Sequence, residues 1–483
     1  MTKYIPTIGL EIHAELKTQS KMFCSCKNDP LEKEPNVNIC PICMGHPGTL
    51  PVPNETAINQ VIKVGLALGS DIAEYSKFDR KNYFYPDLPK GYQISQYDLP
   101  FCQKGTLMVF NRDIKIIRIH LEEDTGRSQH PVHTDYSLVD FNRAGVPLME
   151  LVTEPDITSA KEASEFGRQL QILLRYINVS DANMEKGQMR VEANISIRPE
   201  GRAELGTKVE VKNLNSFRVV EQSIEYEIKR QTEILDRGEN VAQETRGWHD
   251  VKQETFSQRE KESAHDYRYF PEPDIPPLTF SKEDIQKLRT QIPELPEARK
   301  QRFAFEYALE ENQIEMLIVN KELGEYFENT VSELATSFSD ETLANATKLA
   351  ANYLISDVQG MLHGIRVDSN EFKITEENFA ELIGMLIEKK ISSPAAKALL
   401  VNMFKTGGDP SHMLKAQGLT QVSDMGEIET IAKEIVASNP KAVEDFGKGK
   451  ENALQFLVGQ MMAKTKGAVN PETAREILQK QLS

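Results

Sequence analysis

Carboxylates and an imidazole recur at alternate positions in several short segments of the chain, and this spacing suits metal binding. Glu11 and His13, in the segment GLEIHAE, are two residues apart, so a β-strand would place both side chains on one face. Three carboxylates, Glu122, Glu123 and Asp124, directly follow an alternating run from Ile114 to Leu121. Like charges held this close repel, so a folded protein usually offsets them with a cation or a metal ion.

Two further carboxylates, Glu192 and Glu210, stand in alternating segments and would face the same way if their strands pair. Several carboxylates and a histidine on strands suit a hard cation such as Mg²⁺ that carries nucleotide phosphates. Each motif alone has a simpler alternative, either the polar face of an edge strand or a solvated acidic turn. The sequence contains no Walker phosphate loop and no kinase HRD motif. If ATP is used, its phosphates must be held by a metal ion and by lysine and arginine on strands.

Cations and aromatic rings are interleaved in the segment 78–87, FDRKNYFYPD. The candidate nucleotide-binding residues are Arg80, Lys81, Lys212 and Asn213. The aromatic rings could stack on a flipped or single-stranded nucleotide end or on an aminoacyl adduct. They could equally form an aromatic core strand with exposed charges. The segment 265–273 repeats the pattern, and the same two interpretations apply to it.

Four of the five cysteines form two close pairs. They are Cys24, Cys26, Cys40 and Cys43. Two close thiol pairs across a short loop commonly wrap a tetrahedral zinc ion with thiolate ligands, so we predict a structural zinc knuckle at 24–43. The alternative is a set of buried thiols that behave as small hydrophobic groups. Cys102 has no partner in sequence and is predicted to be inert core.

The elements that must position these residues change along the chain. The first 292 residues are rich in short alternating runs bounded by glycine, proline and asparagine, which indicates strands. Helical patterns interrupt them at 55–68, 160–177 and 219–237. After a proline cluster between 271 and 296, the sequence is helical up to the linker at 406–410. The remainder is predicted to be a small separate helical module.

The bulk composition restricts the class of protein. A net charge of −16 argues against a generic nucleic-acid binder, which usually carries a basic face, although one local patch could still grip a large RNA. No run of 18 apolar residues occurs, so we expect no membrane span. The N-terminus has no apolar signal core, which favours a cytoplasmic protein.

Six segments resemble the signatures of one family, the B subunit of glutamine-dependent aspartyl/glutamyl-tRNA amidotransferase. They are GLEIH at 9–13, KFDRKNYFYP at 77–86, YQISQ at 92–96, VDFNRAGVPLMEL at 139–151, EVKNLNSF at 210–217 and DYRYFPEP at 266–273. The resemblance spans essentially the whole chain and keeps the order of its regions. The archaeal sister subunit carries an extra inserted domain, for which this length leaves no space.

The resemblance implies an α+β fold. Residues 1–292 would form a mainly antiparallel β cradle domain with helices and a kinase-like site. Residues 293–408 would form an all-α helical domain, and 409–483 a small helical tail domain that binds tRNA. Its lysines Lys448, Lys450, Lys464 and Lys466 flank glycines and could face phosphates, or they could be ordinary solvated lysines.

The implied reaction uses ATP to phosphorylate the side-chain carboxylate of Glu on tRNA(Gln) or of Asp on tRNA(Asn). Ammonia then displaces phosphate and forms the amide. By position, the resemblance assigns the Mg²⁺ and phosphate site to Glu11, His13, Glu123, Glu192 and Glu210, with Glu122 adjacent. Many relatives have Asp at position 192, so ligation by Glu192 could be direct or through water. The cysteine quartet varies among relatives, which favours structural over catalytic zinc.

The resemblance also implies partners. No glutaminase motif occurs in the chain, so ammonia would come from an amidase (A) subunit, joined with a small C subunit in a heterotrimer. The cognate aminoacyl-tRNA synthetase is a further expected partner. Two rival hypotheses are a non-catalytic RNA-binding scaffold and a free-standing metal-dependent phosphohydrolase. Whether Glu-tRNA(Gln), Asp-tRNA(Asn) or both are substrates depends on the synthetases of the organism.

Overall fold

The computed structural model describes residues 3–131, 133–260, 266–417, 425–465, 469 and 471–482. The chain divides into two compact units, Met1–Pro296 and Glu297–Ser483, and each is described here by itself. The predicted α+β class is confirmed: antiparallel-rich sheets fill the first unit and helices the second. The finer division of the helical part at residue 408 stays a prediction.

The first unit contains all the strands of the described chain and four helices. The strands are β1 (Tyr4–Glu15), β2 (Asp71–Ile72), β3 (Tyr75–Ser76), β4 (Asp79–Asn82), β5 (Tyr92–Ser95), β6 (Cys102–Gln103), β7 (Thr106–Val109), β8 (Arg112–Glu123), β9 (Arg127–Gln129), β10 (Leu138–Asp140), β11 (Pro147–Thr153), β12 (Met189–Pro199), β13 (Val209–Leu214), β14 (Glu244–His249), β15 (Glu254–Glu260), β16 (Phe270–Pro271) and β17 (Leu278–Thr279). The helices are α1 (Glu55–Ala67), α2 (Ala160–Tyr176), α3 (Phe217–Asp236) and α4 (Lys282–Arg289). The helices predicted over 55–68, 160–177 and 219–237 are therefore present.

The main sheet has the strand order β15-β14-β13-β12-β1-β11-β8-β6-β2, with β7 paired to β8. Its pairs are antiparallel except for β13 with β14. A smaller sheet of order β16-β4-β5 lies close to β8 through β5. Two-stranded pairs, β9 with β10 and β3 with β17, complete the strands.

The central strands bury one face and present polar residues on the other. On β1, Leu10 and Ile12 are fully buried, whereas Glu11 and His13 point to the opposite side. The buried face packs against α2 and α3, so Ile12 shares one core with Phe166. Because the helices cover one face only, the other face of the sheet can carry chemistry.

Local capping fixes where the two supporting helices begin. The Ser159 hydroxyl accepts a hydrogen bond from the Glu162 N–H at the start of α2. The Ser216 hydroxyl does the same for the Val219 N–H at the start of α3. Such caps satisfy helix N–H groups that have no partner within the helix.

The second unit is helical over its described residues. Its elements are α5 (Pro296–Tyr307, which begins on the last residue of the first unit), α6 (Glu311–Val319), α7 (Lys321–Ser337), α8 (Asp340–Tyr353), a π-helical turn (Leu354–Val358), α9 (Gln359–Leu362), α10 (Glu376–Ile387), α11 (Ser393–Thr406), α12 (Pro410–Gln417), α13 (Met425–Ser438), α14 (Pro440–Gly447), α15 (Glu451–Lys464) and α16 (Pro471–Leu482). Helix α10 packs against α7, α8, α11 and α12, and α13 to α16 enclose a core of their own. Within the part of the chain that the structure describes, no helix combines the length and the hydropathy needed to cross a membrane.

Candidate functional site

Antiparallel register brings charged side chains of four central strands together on the polar face of the main sheet. His13 of β1 lies opposite Glu150 of β11, and Glu150 lies opposite His120 of β8. On the other side of β1, Glu11 lies opposite Glu192 of β12. Residues opposite one another in a sheet project to the same face, so these groups share one surface.

Five of these residues form a compact group, which we call the carboxylate–histidine cluster. Its members are Glu11, His13, His120, Glu122 and Glu150. Ligand atoms of Glu11, His13 and Glu150 lie within 4.8 Å of one another, and so do those of His120, Glu122 and Glu150. The cluster therefore contains two donor triads that share Glu150.

Glu150 is the centre of the cluster. Its Oε2 lies 3.3 Å from His13 Nε2 and 3.4 Å from His120 Nε2. Burial disfavours the charged carboxylate, but the His120 and His13 imidazoles hold the pKa of Glu150 well below its usual range. Burial also disfavours the charged imidazole of His13, yet the hydrogen bond and charge of Glu150 raise its pKa to about 9.

The remaining carboxylates of the cluster differ in charge state. Burial and the charge of Glu150 raise the pKa of Glu11. Burial opposes ionisation of Glu122, but Lys81 and His120 keep the pKa of Glu122 below its ordinary value. Carboxylate oxygens with imidazole nitrogens are a suitable donor set for a divalent cation, which would offset this concentration of negative charge.

Glu123 is adjacent in sequence but lies elsewhere. Successive residues of a strand point to opposite faces, so Glu123 points away from the cluster that holds Glu122. Its carboxylate contacts the Lys90 ammonium and accepts a hydrogen bond from the Ile94 N–H at 2.9 Å. Glu123 and Lys90 line a separate cavity of about 210 Å³ beside Cys43. The structure thus brings Glu122, and not Glu123, to the other predicted ligands.

Glu192 on β12 and Glu210 on β13 both pair with the ammonium group of Lys212. Lys212 Nζ lies 2.8 Å from Glu192 Oε2 and 3.5 Å from Glu210 Oε1. Burial opposes the charge of Lys212, but the two carboxylates raise its pKa. The Thr245 hydroxyl also donates to Glu210 at 2.8 Å. This trio adjoins the cluster, because Glu192 lies opposite Glu11.

The candidate nucleotide-binding residues fall into different environments. Lys81 of β4 is close to the cluster: burial lowers its pKa, but the charges of Glu122 and Glu150 raise it above its ordinary value. Arg80 points to Glu272 instead and donates to both oxygens of that carboxylate, at 2.7 and 2.8 Å. Asn213 is exposed and has a left-handed backbone, with φ of 61°.

Neither His120 nor Glu150 is among the site residues that the sequence predicts. The two-residue spacing in the sequence does indicate His120, because His120 and Glu122 alternate on one strand as Glu11 and His13 do. Glu150 lies inside the segment 139–151, whose spacing alone gives no sign that it faces His13. Its role depends on strand order, which local spacing does not contain.

The four paired cysteines converge in the first unit. Their sulfur atoms lie within 4.8 Å of one another, so they could hold a metal ion. Cys24 and Cys43 are buried, whereas Cys26 and Cys40 are half-buried. The hydrogen bond from Cys24 lowers the pKa of the Cys43 thiol, and the Lys21 ammonium nearby acts in the same direction. Four convergent cysteine sulfurs fit the ligand set of a tetrahedral zinc centre. Cys102 is fully buried, away from this group.

The tail lysines all have acidic neighbours where the structure describes them. Lys448 pairs with Glu444, Lys450 with Asp445 and Lys464 with Glu434. Lys466 lies outside the described residues. Binding of tRNA by these lysines stays a prediction.

Comparisons with known proteins cover nearly the whole chain. A family model described as the GatB/GatE catalytic domain matches residues 6–286, and one described as the GatB domain matches 325–482. The chain is 48% identical to a Dehalococcoides mccartyi protein over 100% of this chain and 99% of that protein. It is 45% identical to a Carboxydothermus hydrogenoformans protein over 100% of both. Both relatives are named as the B subunit of aspartyl/glutamyl-tRNA(Asn/Gln) amidotransferase.

Proposed function

Because the chain belongs to the GatB/GatE family of tRNA amidotransferase B subunits, we propose that it activates and amidates the amino acid carried by a mischarged tRNA. The substrates are Glu-tRNA(Gln), Asp-tRNA(Asn) or both, as the names of the relatives indicate for those proteins. The carboxylate–histidine cluster is the observation that carries this proposal, since it combines ligands for a divalent cation with the half-buried Lys81 and Lys212, the groups that phosphoryl transfer needs.

The proposed reaction has two steps. A side-chain carboxylate oxygen attacks the γ-phosphorus of ATP, so an O–P bond forms, the bond to ADP breaks and an acyl phosphate results. Ammonia then attacks the acyl carbon, a C–N bond forms and inorganic phosphate leaves with the C–O bonding pair. The first step is necessary because a carboxylate is a poor acyl donor, whereas an acyl phosphate is a good one.

The chain's own residues suit the first step. The residues that would hold Mg²⁺ are Glu11, His13, Glu122 and Glu150, with His120, Glu192 and Glu210 around them. When bound, the ion would neutralise phosphate charge. Lys81 is within electrostatic range of Glu122 and Glu150, and its ammonium can orient the transferred phosphoryl group. Lys212 can make a similar contact from the Glu192 side.

The second step needs ammonia from outside this chain. We propose an amidase (A) subunit that hydrolyses glutamine and a small C subunit that joins the two in a heterotrimer. The naming of the relatives as B subunits and the lack of a glutaminase motif in the sequence support this arrangement. The cysteine centre would bind a structural zinc ion.

The decisive experiment replaces the shared carboxylate, Glu150→Gln, in the assembled heterotrimer. Release of ADP that depends on the charged tRNA is measured with glutamine withheld, so that only the first step is followed. We expect a fall of roughly 100-fold or more, because the carboxylate that both donor triads share for holding the cation is lost. Glu200→Gln, on the surface of the same unit, is the control and should keep the full rate.

Full tRNA-dependent ADP release by the Glu150→Gln enzyme would contradict the proposed function. Unfolding curves of both variants separate loss of chemistry from loss of folding. Running the assay with Glu-tRNA(Gln) and with Asp-tRNA(Asn) identifies the substrate.

A further inference from the structure

Four tyrosines from three segments form a line of ring contacts beside the cluster, which we call the tyrosine row. Tyr97 stacks on Tyr269 with the ring centres 4.3 Å apart and an angle of 10° between the planes. Tyr269 meets Tyr267 edge to face at 5.9 Å, and Tyr267 meets Tyr83 at 6.0 Å. The row begins at the protein surface, because Tyr97 is 60% exposed.

The small sheet holds the row rigidly. The Tyr97 N–H donates to the buried carboxylate of Asp79 at 3.1 Å. Asn82 of β4 donates through its backbone to the Tyr267 carbonyl at 3.0 Å. Phe270, directly after Tyr269, pairs with Arg80 of β4. Anchored backbones on both sides fix the stacked pair before any ligand arrives, which lowers the entropy cost of binding.

The inner end of the row contacts Lys81, which interacts electrostatically with the carboxylate–histidine cluster. Lys81 Nζ lies 5.2 Å from the centre of the Tyr267 ring. Burial, together with the charges of Glu122 and Glu150, raises the pKa of Tyr269 to about 12, although Lys81 lowers it. The ring contacts therefore connect the exposed Tyr97, through Tyr269 and Tyr267, to Lys81.

We propose that the open face of Tyr97 stacks on an adenine ring whose phosphate or ester end lies at the carboxylate–histidine cluster. The inference rests on the proposed function and assigns it a base-binding subsite. An exposed ring held parallel to a second ring presents a large flat face at little entropic cost, and every base has a π-face that can stack on it. The adenine belongs either to ATP or to the 3′-terminal adenosine of the charged tRNA.

The test compares Tyr97→Ala, Tyr97→Phe and the control Tyr75→Ala in the assembled heterotrimer. Tyr75 is also an exposed tyrosine of the first unit, at 49%, but lies on β3 outside the row. KM values for ATP and for the charged tRNA are measured separately from kcat. We expect Tyr97→Ala to raise one of the two KM values by roughly tenfold. Tyr97→Phe keeps the stacking face and should recover most of the affinity, and Tyr75→Ala should change neither value.

Fluorescence of 2-aminopurine gives a readout that does not depend on turnover. The base is placed in the triphosphate in one arm and at the 3′ end of the tRNA in the other, and stacking quenches it. Quenching that is lost with Tyr97→Ala in one arm identifies the source of the adenine. If both KM values stay within twofold and quenching persists in both arms, the subsite is overturned. That outcome would overturn the subsite alone, because phosphoryl transfer would be intact. Failure of the proposed function is a different result, namely full tRNA-dependent ADP release by the Glu150→Gln enzyme.

Discussion

At the scale of single residues, the site depends on the two-residue alternation of β-strands. Glu122 and Glu123 are chemically identical neighbours, yet one contacts His13 and the other contacts Lys90. Only Glu122 can therefore share a metal ion with Glu150. The two positions form a matched pair in which the same substitution tests opposite faces of one strand.

We expect Glu122→Gln to weaken Mn²⁺ binding by roughly tenfold or more, since a charged ligand beside the ion is lost. Glu123→Gln should leave Mn²⁺ affinity within twofold, because its carboxylate faces Lys90 instead. Titration of the apoprotein with Mn²⁺, followed by electron paramagnetic resonance, measures both affinities. Equal weakening by the two substitutions would show that Glu123 also contacts the ion.

At the scale of elements, the edge of the main sheet is fastened to α3 by a buried ionic network. Glu227 of α3 has no exposed surface and accepts hydrogen bonds from Arg230 at 2.7 and 2.9 Å. Arg246 of β14 lies 3.7 Å away, and the Thr255 hydroxyl of β15 donates at 3.2 Å. The network orders β14 and β15 next to β13, which carries Glu210 and Lys212.

Glu227→Gln is expected to lower the free energy of unfolding by about 2 kcal/mol, because Arg230 and Arg246 lose the fully buried one of their two carboxylate partners and keep only Glu244. Glu225→Gln, on the exposed face of the same helix, should change it by less than about 0.5 kcal/mol. Urea unfolding followed by circular dichroism gives both values. A Glu227→Gln protein as stable as the Glu225→Gln protein would mean that the network is neutral for folding.

At the scale of the whole molecule, the candidate site lies in the first unit, while the second unit is helical wherever it is described. The net charge of −16 leaves recognition of a large RNA to local surfaces. The tail lysines Lys448, Lys450 and Lys464 are paired with carboxylates, so phosphates must displace those partners to bind there. The four clustered cysteines also belong to the first unit.

We expect purified protein to contain about one zinc ion per chain, and removal of that ion to lower the melting temperature, because metal binding contributes to folding free energy. Cys43→Ser should abolish the bound zinc. Cys102→Ala should retain it, since Cys102 is buried away from the four clustered thiols. Metal analysis measures the zinc content of each variant, and thermal unfolding measures its melting temperature. A Cys43→Ser protein that still binds one zinc ion per chain would exclude the four cysteines as the zinc site.

Much of the architecture follows from local pattern. The helices near 55, 160 and 219 are visible in apolar periodicity, and their serine or asparagine caps stand directly before them. The alternation around Glu11 and Glu192 predicts strands with one polar face. The contact of Arg80 with Glu272, 192 residues later, leaves no local signal in the sequence, so Arg80 is selected there as a nucleotide-binding candidate by residue type alone.

The sequence by itself determined the family, the α+β class, the polar faces of the strands and the set of four cysteines, because these depend on residue type and short spacing. Tertiary structure alone decided that Glu150 joins His13 to His120, that Glu122 replaces Glu123 in the cluster, and that Tyr97 stacks on Tyr269. The physical reason is register: a shift of one residue sends every side chain of a strand to the other face, and register is set by long-range core packing.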